Sequence, residues 1–212
     1  EVRRNWYAQR EADDGCTAAA AQLVASQNLT APDIWKKARL ATEANRPRAA
    51  REAVQLIAPQ AAGMVSELSA NPAKFLSNKY LAIRSVRKEV ITLALVKLAT
   101  NDPEAAAAQL DAKWALQLTA EERNWLWGLI GKQLASRLGR QPAGDAMHYF
   151  AKVSQDSDLS DDMLAWKARA ALRADLQPQW GEVLKAVNAM SEEARKDPTW
   201  IYWKARALLA SA

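Results

Sequence analysis

The chain has 212 residues, of which 50% are hydrophobic and 25% charged, and its formal net charge is +5. This balance is typical of an ordered protein with a core, and it excludes a disordered tail, a collagen-like repeat and a disulfide scaffold. One Cys and one His exclude an internal disulfide and a zinc site built from several such residues. Abundant alanine with only 7 glycines predicts a chain that is helical almost throughout, without a sheet.

Helix-start signals recur in order along the sequence. Thr30 precedes a proline and Asp33, and a capping hydroxyl followed by a proline and an acid predicts a helix. A short polar residue followed by proline gives the same signal at Asn71, Asp102 and Asp197. We therefore predict about ten to twelve short helices, with the least regular pattern at residues 60–88.

Two further starts lie in the second half of the chain. Thr119 and Glu122 form a capping box, and the helix that follows is expected to run to about Leu138 before Gly139 ends it. Ser160 is expected to cap another helix. In the helix after Thr119, apolar residues recur every three or four positions, which is typical of one buried helical face.

Residues 166–170 and 203–207 both have the sequence Trp-Lys-Ala-Arg-Ala, 37 positions apart, with a weaker echo that starts at Trp35. This spacing equals one helix-turn-helix unit of a tetratricopeptide-like solenoid. We expect a first helix from Trp166 and a returning helix from Trp180. The predicted fold class is an all-α, superhelical solenoid of short antiparallel helix pairs. Most of the 9 Trp, with Trp166 and Trp203 as wedges between helices, are expected to pack in the core; a sugar-binding platform of exposed Trp is the alternative.

Pairs of carboxylates are the first candidates for acid and base chemistry. Each pair is expected at or in the first turn of a helix, where the helix dipole favours acids, and adjacent residues do not face each other across a substrate. The pairs are Asp13–Asp14, Glu121–Glu122, Asp161–Asp162 and Glu192–Glu193. We therefore interpret all four as capping residues.

The remaining candidates also point to structure. His148 has apolar neighbours and no recognisable nucleophile motif, so it is expected to be a packed or surface histidine. Cys16 lies near a helix start, where the pKa of a thiol is lowered, but it has no resolving partner and is expected to be a small buried residue. No phosphate loop, dinucleotide fingerprint or metal-ligand spacing is present. The sequence thus predicts no catalytic, cofactor-binding or metal-binding residue.

Charge and hydropathy limit the partners. The densest basic clusters, at residues 46–51 and 84–88, lie among helix-forming apolar residues without an RNA-binding signature. We interpret them as solvated helix faces and expect no nucleic-acid partner. No apolar run is long enough for a transmembrane segment.

The sequence contains a segment that resembles a known family. Residues 200–208 contain Trp-x-Tyr-Trp-x-Ala and follow Arg169 to Leu172 and Trp180; together they resemble the late part of the superhelical domain of soluble lytic transglycosylases. The opening also fits, because residues 6–8, Cys16 and a helix that ends near Ser26 are similar to earlier helices of that domain. The resemblance spans most of the chain, in the same order.

The resemblance implies a periplasmic protein whose helices surround a central opening, joined to a separate lysozyme-like catalytic domain. Members of this family cleave peptidoglycan between N-acetylmuramic acid and N-acetylglucosamine and form an anhydromuramoyl product without a cofactor. Their catalytic glutamate lies in a Glu-Ser pair, and no Glu-Ser pair occurs in residues 1–212. No catalytic position is therefore carried over, and residues 1–212 are expected to be a fragment of the superhelical domain.

Two functions follow as hypotheses. In the first, the segment is a non-catalytic scaffold that positions peptidoglycan glycan strands, stem peptides or cell-wall synthesis proteins beside the catalytic domain. In the second, it is a free-standing tetratricopeptide-like adaptor that binds a peptide or protein in its concave groove. A mild positive charge suits the acidic stem peptides of the first hypothesis.

Overall fold

The computed structural model of the protein describes residues 2–9, 12–78, 83–137, 143–174 and 177–210. These ranges contain thirteen α-helices and no β-strand, which confirms the predicted all-α fold class. The helices are α1 (Val2–Ala8), α2 (Asp14–Ala25), α3 (Ala31–Glu43), α4 (Pro47–Gln55), α5 (Ala62–Ala70), α6 (Pro72–Ser77), α7 (Ser85–Asn101), α8 (Pro103–Gln109), α9 (Ala120–Ser136), α10 (Ala143–Phe150), α11 (Asp161–Leu172), α12 (Trp180–Ala189) and α13 (Pro198–Ala210). None of them combines the length and the apolar character that a bilayer crossing requires.

The predicted helix starts are confirmed by their hydrogen bonds. The backbone N–H of Glu122 donates to Thr119 Oγ1 (3.2 Å), and the backbone N–H of Thr119 donates to Glu122 Oε2 (2.6 Å), which completes the capping box. The side chains of Asn71 and Asp102 each accept a backbone N–H three residues on, at 2.9 Å. Helix α9 is described to Ser136, and its predicted end at Leu138 and Gly139 lies outside the described residues.

The first compact unit comprises Glu1–Asn101 and Leu116–Leu118 and holds helices α1 to α7. Helix α3 packs against α1, α4 and α7, while α5 packs against α4, α6 and α7. Within the irregular stretch at residues 60–88, the described residues include two short helices, α5 and α6, with only Asn71 between them, and the start of α7. The described helices therefore number one more than the upper limit expected from the sequence.

Two buried cations join helices inside the first unit. Arg39 is 3% exposed, and its Nη2 lies 2.8 Å from Glu89 Oε2, which links α3 to α7. Lys37 Nζ donates to the backbone carbonyls of Trp6 (2.5 Å) and Gln9 (2.7 Å), at the end of α1. Lys37 thus satisfies carbonyl groups that lack a partner inside a short helix. Burial lowers the pKa of Lys37.

The second compact unit comprises Asp102–Ala115 and Thr119–Ala212 and holds helices α8 to α13. Helix α9 packs against α8, α10 and α11; α11 then packs against α12, and α12 packs against α13. Each of these helices contacts the next one along the chain, as expected for stacked helix pairs. The predicted pair that starts at Trp166 and Trp180 corresponds to α11 and α12.

Two glycines allow close contact on one face of α9. A Cβ added at Gly131 lies 3.0 Å from ring atoms of Phe150, on α10, and a Cβ added at Gly128 clashes with the side chain of Leu159. Both glycines and both partners are buried, so little space is left for a larger residue. The absence of side chains at these two positions therefore sets the distance between α9 and its neighbours.

The tryptophans divide into two groups. Six are buried and belong to the core, as predicted for most of the nine: Trp6, Trp35, Trp114, Trp125, Trp127 and Trp200. The other three, Trp166, Trp180 and Trp203, are half-buried, and no Trp is exposed, which gives no support to an exposed sugar platform.

The prediction that Trp166 and Trp203 are core wedges is wrong. In α11 the buried positions include Met163 and Leu164, so Trp166 lies at the flank of the packed face. Its ring instead covers the guanidinium of Arg169, at 5.1 Å, and the ring of Trp200 lies 5.2 Å from the same guanidinium. Arg169 is therefore held by two indoles from successive repeats.

Substitution of Gly131 by Ala is expected to destabilise the protein. The added methyl group presses on Phe150 and costs about 1–3 kcal/mol, which outweighs the gain in helix propensity of about 1 kcal/mol. Gly181→Ala in α12 is the matched control, because an added Cβ there has nothing within 4 Å. Thermal melts should show a lower Tm for Gly131→Ala and an unchanged or higher Tm for Gly181→Ala. Equal shifts in both variants would contradict the close contact.

Truncation of a core and of a flank tryptophan should differ in cost. Trp125 is 1% exposed, so Trp125→Ala should reduce the free energy of unfolding by about 3–5 kcal/mol. Trp166→Ala removes a half-buried ring and one cation–π contact, so we expect a loss of about 1–2 kcal/mol. Chemical denaturation of the two variants measures the difference. A loss at Trp166 as large as that at Trp125 would restore its assignment to the core.

Candidate functional site

A groove of about 900 Å³ in the second unit is the candidate site. The end of α10, the loop at residues 151–156, α11 and α12 form its walls. Its apolar part includes Met147 and Phe150, both buried, and its polar part includes Gln179 and Asn188, both exposed. The groove thus combines an apolar floor with polar groups at the rim, as ligand sites commonly do.

A buried amide holds one wall of the groove in place. Asn124 is 3% exposed, and its Oδ1 accepts hydrogen bonds from the backbone N–H (2.9 Å) and the hydroxyl (3.1 Å) of Ser154. Its Nδ2 donates to Asp158 Oδ2 at 2.7 Å. Because all three hydrogen bonds reach the segment between α10 and α11, a single α9 side chain fixes the path of this loop.

A buried lysine connects the other walls. Lys167 of α11 is 4% exposed, and its Nζ donates to both carboxylate oxygens of Asp156, at 2.9 and 2.7 Å. The same ammonium lies 3.2 Å from Glu182 Oε2, on α12. Glu182 Oε1 in turn accepts from Lys185 Nζ at 2.7 Å. Two cations and two carboxylates therefore alternate along the groove, and each charge has an opposite partner.

The ionisation of Glu182 decides what chemistry the groove supports. Burial acts to raise the pKa of Glu182, but the hydrogen bonds and charges of Lys185 and Lys167 outweigh it and hold the pKa below the ordinary value of 4.5. The carboxyl group is thus ionised at neutral pH and has no proton to give. A glycosidase requires a general acid that is protonated at the working pH. Glu182 therefore does not supply that acid.

Two amide side chains at the rim are available to a ligand. The side chain of Gln179 makes no capping hydrogen bond to α12, and neither it nor that of Asn188 forms a hydrogen bond within the described ranges. Each amide offers both a donor and an acceptor. A ligand rich in hydroxyl and amide groups is therefore the chemical class that fits this rim.

The predicted environment is confirmed for His148 but not for Cys16. His148 is a surface residue, as expected, and its ring packs edge-on against Tyr149. Cys16 is exposed, so the expectation that it is buried is wrong. The position near a helix start does not lower the pKa of its thiol: a hydrogen bond with Asp13 raises this pKa, because the nearby carboxylate disfavours a thiolate.

Three of the four carboxylate pairs lie at helix starts, as predicted. They are the pairs at the starts of α2, α9 and α11. Glu192 and Glu193 instead lie in a turn before a short 3-10 helix (Ala194–Lys196), since Ser191 closes that turn through its hydroxyl. The described ranges contain no group of three or more His, Cys, Asp or Glu residues arranged to hold a metal ion.

The groove itself is not predicted by any pattern in the sequence. Lys167 stands inside the repeated Trp-Lys-Ala-Arg-Ala segment, so it was visible as part of a motif. Its two partners lie 11 residues before it and 15 residues after it, on other elements. Residue spacing gives no signal for a contact of this kind, whereas the packing of α11 on α12 produces it.

Glu182 should make the stability of the protein depend on pH. Because its pKa is lowered in the folded state, its contribution is present above pH 4.5 and is lost as the pH falls through the folded-state pKa. The Tm of Glu182→Gln should therefore lie below that of the unmodified protein at pH 7, and the two should converge at acidic pH. Glu192→Gln is the control, because Glu192 is 83% exposed and its ion pair with Lys196 contributes little. A Tm difference that is independent of pH would exclude this origin.

No protein-family model matches the chain. No curated protein matches it. Among solved structures, the chain is similar to the X-ray structure of an inactive mutant of the lytic transglycosylase Slt from Pseudomonas aeruginosa, with a TM-score of 0.56 and 23% sequence identity. The match covers 98% of this chain and 33% of that chain, so the chain spans about a third of the structure it resembles. At this identity the likeness is one of fold.

Proposed function

We propose that the chain is the non-catalytic helical scaffold of a periplasmic lytic transglycosylase. In this proposal, a separate lysozyme-like domain of the enzyme cleaves peptidoglycan between N-acetylmuramic acid and N-acetylglucosamine and forms the anhydromuramoyl product. The observation that carries the proposal is the fold likeness to Slt, which extends over 98% of this chain at a TM-score of 0.56. The Trp-x-Tyr-Trp-x-Ala motif in residues 200–208 also supports it, because it resembles the late part of the superhelical domain of this family. The segments that resemble that domain also follow one another in the same order.

The groove beside Lys167 is the proposed place where the scaffold holds peptidoglycan. Its volume of about 900 Å³ is within the usual range for a bound ligand. The amides of Gln179 and Asn188 fit the hydroxyl and amide groups of a glycan strand or a stem peptide. Lys185 is 68% exposed and carries a positive charge to which the carboxylates of stem peptides are attracted.

In this proposal, the carboxylates of the groove contribute to binding peptidoglycan and do not cleave it. Glu182 is ionised at neutral pH, and Asp156 is bonded through both oxygens to Lys167. Neither carboxylate is therefore placed to protonate the oxygen of a glycosidic bond. In the proposed enzyme this step belongs to the lysozyme-like domain.

Purified peptidoglycan sacculi test the function directly. The chain of residues 1–212 should sediment with sacculi, and the supernatant should contain no anhydromuropeptides by chromatography. The double substitution Gln179→Ala with Asn188→Ala should weaken binding by about 5- to 150-fold, since each of the two lost hydrogen bonds contributes about 0.5–1.5 kcal/mol.

The exposed Gln60 provides the matched control, because it is a glutamine in the first unit and does not line the groove. Gln60→Ala should bind sacculi like the unmodified chain. Failure of the unmodified chain to sediment with sacculi would contradict the scaffold function and favour a free-standing adaptor. Release of anhydromuropeptides would show that an active site lies within these residues.

A further inference from the structure

The 37-residue repeat extends back to α9, because one set of hydrogen bonds occurs twice at that spacing. In the first copy, Asn124 Oδ1 accepts from the backbone N–H (2.9 Å) and the hydroxyl (3.1 Å) of Ser154. In the second copy, the carboxylate of Asp161 accepts from the backbone N–H and the hydroxyl of Ser191, both at 2.7 Å. Both residues of the second copy stand 37 positions after those of the first. Positions of α9 can therefore be compared with those of α11, and positions of α11 with those of α13.

One cation loses its carboxylate partner between the two copies. In the first copy, Lys132 of α9 forms an ion pair with Asp162, in the first turn of α11. The residues 37 positions on are Arg169 of α11 and Thr199, in the first turn of α13. The positive charge is thus retained, and an uncharged side chain stands in place of the carboxylate. Because Thr199 lies within the described ranges, this loss is a substitution inside the chain.

Two tryptophans take over the contact with this cation. Trp166 stands at the position of Leu129 in the first copy. Trp200 stands at the position of Met163. The centroids of the two indole rings lie 5.1 and 5.2 Å from Cζ of Arg169. A guanidinium that contacts two rings has fewer orientations than a solvated one, so the indoles restrict the direction of its N–H groups.

The hydrogen-bond donors of Arg169 remain available to a ligand. Its side chain is exposed, and it forms neither a hydrogen bond nor an ion pair within the described ranges. A cation–π contact depends on the charge of a guanidinium and uses none of its five N–H donors. A guanidinium with unused donors and a restricted orientation is suited to binding an anion.

We propose that Arg169, Trp166 and Trp200 form a binding site for the carboxylate of a peptide. A guanidinium binds a carboxylate through two parallel N–H···O hydrogen bonds, and one cation balances its single negative charge. The first copy already has a carboxylate, that of Asp162, at the equivalent place. The half-buried indole of Trp166 provides an apolar contact for the aliphatic group next to the ligand carboxylate. None of the three residues lines the groove beside Lys167, so the site is separate from that groove and does not rest on the peptidoglycan function.

Titration with the dipeptide acetyl-alanyl-alanine tests the site, and the same dipeptide with a C-terminal amide is the matched control ligand. Two-dimensional ¹⁵N–¹H NMR of the chain of residues 1–212 follows the Nε–H of Arg169 and the indole N–H groups of Trp166 and Trp200. These signals should shift saturably at millimolar dipeptide, because a single charged contact at the surface binds weakly. The amide should leave them unchanged, and inorganic phosphate at equal ionic strength should bind more weakly than the dipeptide.

Substitutions locate the contact. Arg169→Gln should abolish the saturable shifts of the two indole signals, and Arg169→Lys should weaken binding about 5-fold, because an ammonium lacks the fork of N–H donors. Thr199→Asp restores the carboxylate of the first copy and should weaken binding at least about 10-fold, because its side chain competes for Arg169. Arg51→Gln is the matched control, since Arg51 is an exposed arginine of α4 in the first unit; it should bind the dipeptide like the unmodified chain. Thermal melts confirm that each variant is folded.

Several outcomes would overturn the proposal. They are shifts of equal size with the amide, tighter binding of phosphate than of the dipeptide, and unchanged binding in the folded Arg169→Gln or Thr199→Asp variant. Sedimentation with sacculi distinguishes two sources of the carboxylate. Weaker sedimentation of Arg169→Gln than of Arg51→Gln would identify the stem peptides of peptidoglycan, whereas equal sedimentation of the two, with dipeptide binding present in the unmodified chain, would identify a free peptide.

Discussion

The structure depends on one constraint, which is that most of its helices are too short to be stable alone. The thirteen helices in the described ranges are 6 to 17 residues long, and isolated helices shorter than about 12–15 residues are marginal in water. Each must therefore bury an apolar stripe against its neighbours. In the second unit this produces an order of contacts in which each helix from α8 to α12 packs against the next helix along the chain.

Alanine and glycine allow the helices to pack closely, and a cluster of charged groups lines the groove between them. Small residues such as Ala168 and Ala171 are fully buried and allow helix axes to approach. Lys167 is buried at the same stripe, but its ammonium needs carboxylate partners, which Asp156 and Glu182 provide. The groove thus contains a polar cluster where three elements meet, and its charges are already paired before a ligand binds.

Local features of the structure were predictable and non-local ones were not. Caps such as Thr119 and Asp102 act within three residues, so the sequence alone predicted where helices begin. The repeat of 37 residues predicted the pairing of α11 with α12. The exposure of Cys16, the flank position of Trp166 and the groove depend on which neighbouring element covers a residue. Packing between helices determines which element covers a residue, and residue spacing does not predict it.

The contact between Gly131 and Phe150 has a consequence for the groove. Phe150 is fully buried, lines the groove and lies against the α9 backbone at Gly131, one of the two α9 positions without a side chain. Its ring thus packs directly on the helix backbone, and no side chain with alternative rotamers lies between the two. The floor of the groove is therefore a fixed surface, and adjustment to the shape of a ligand is left to the side chains at the rim.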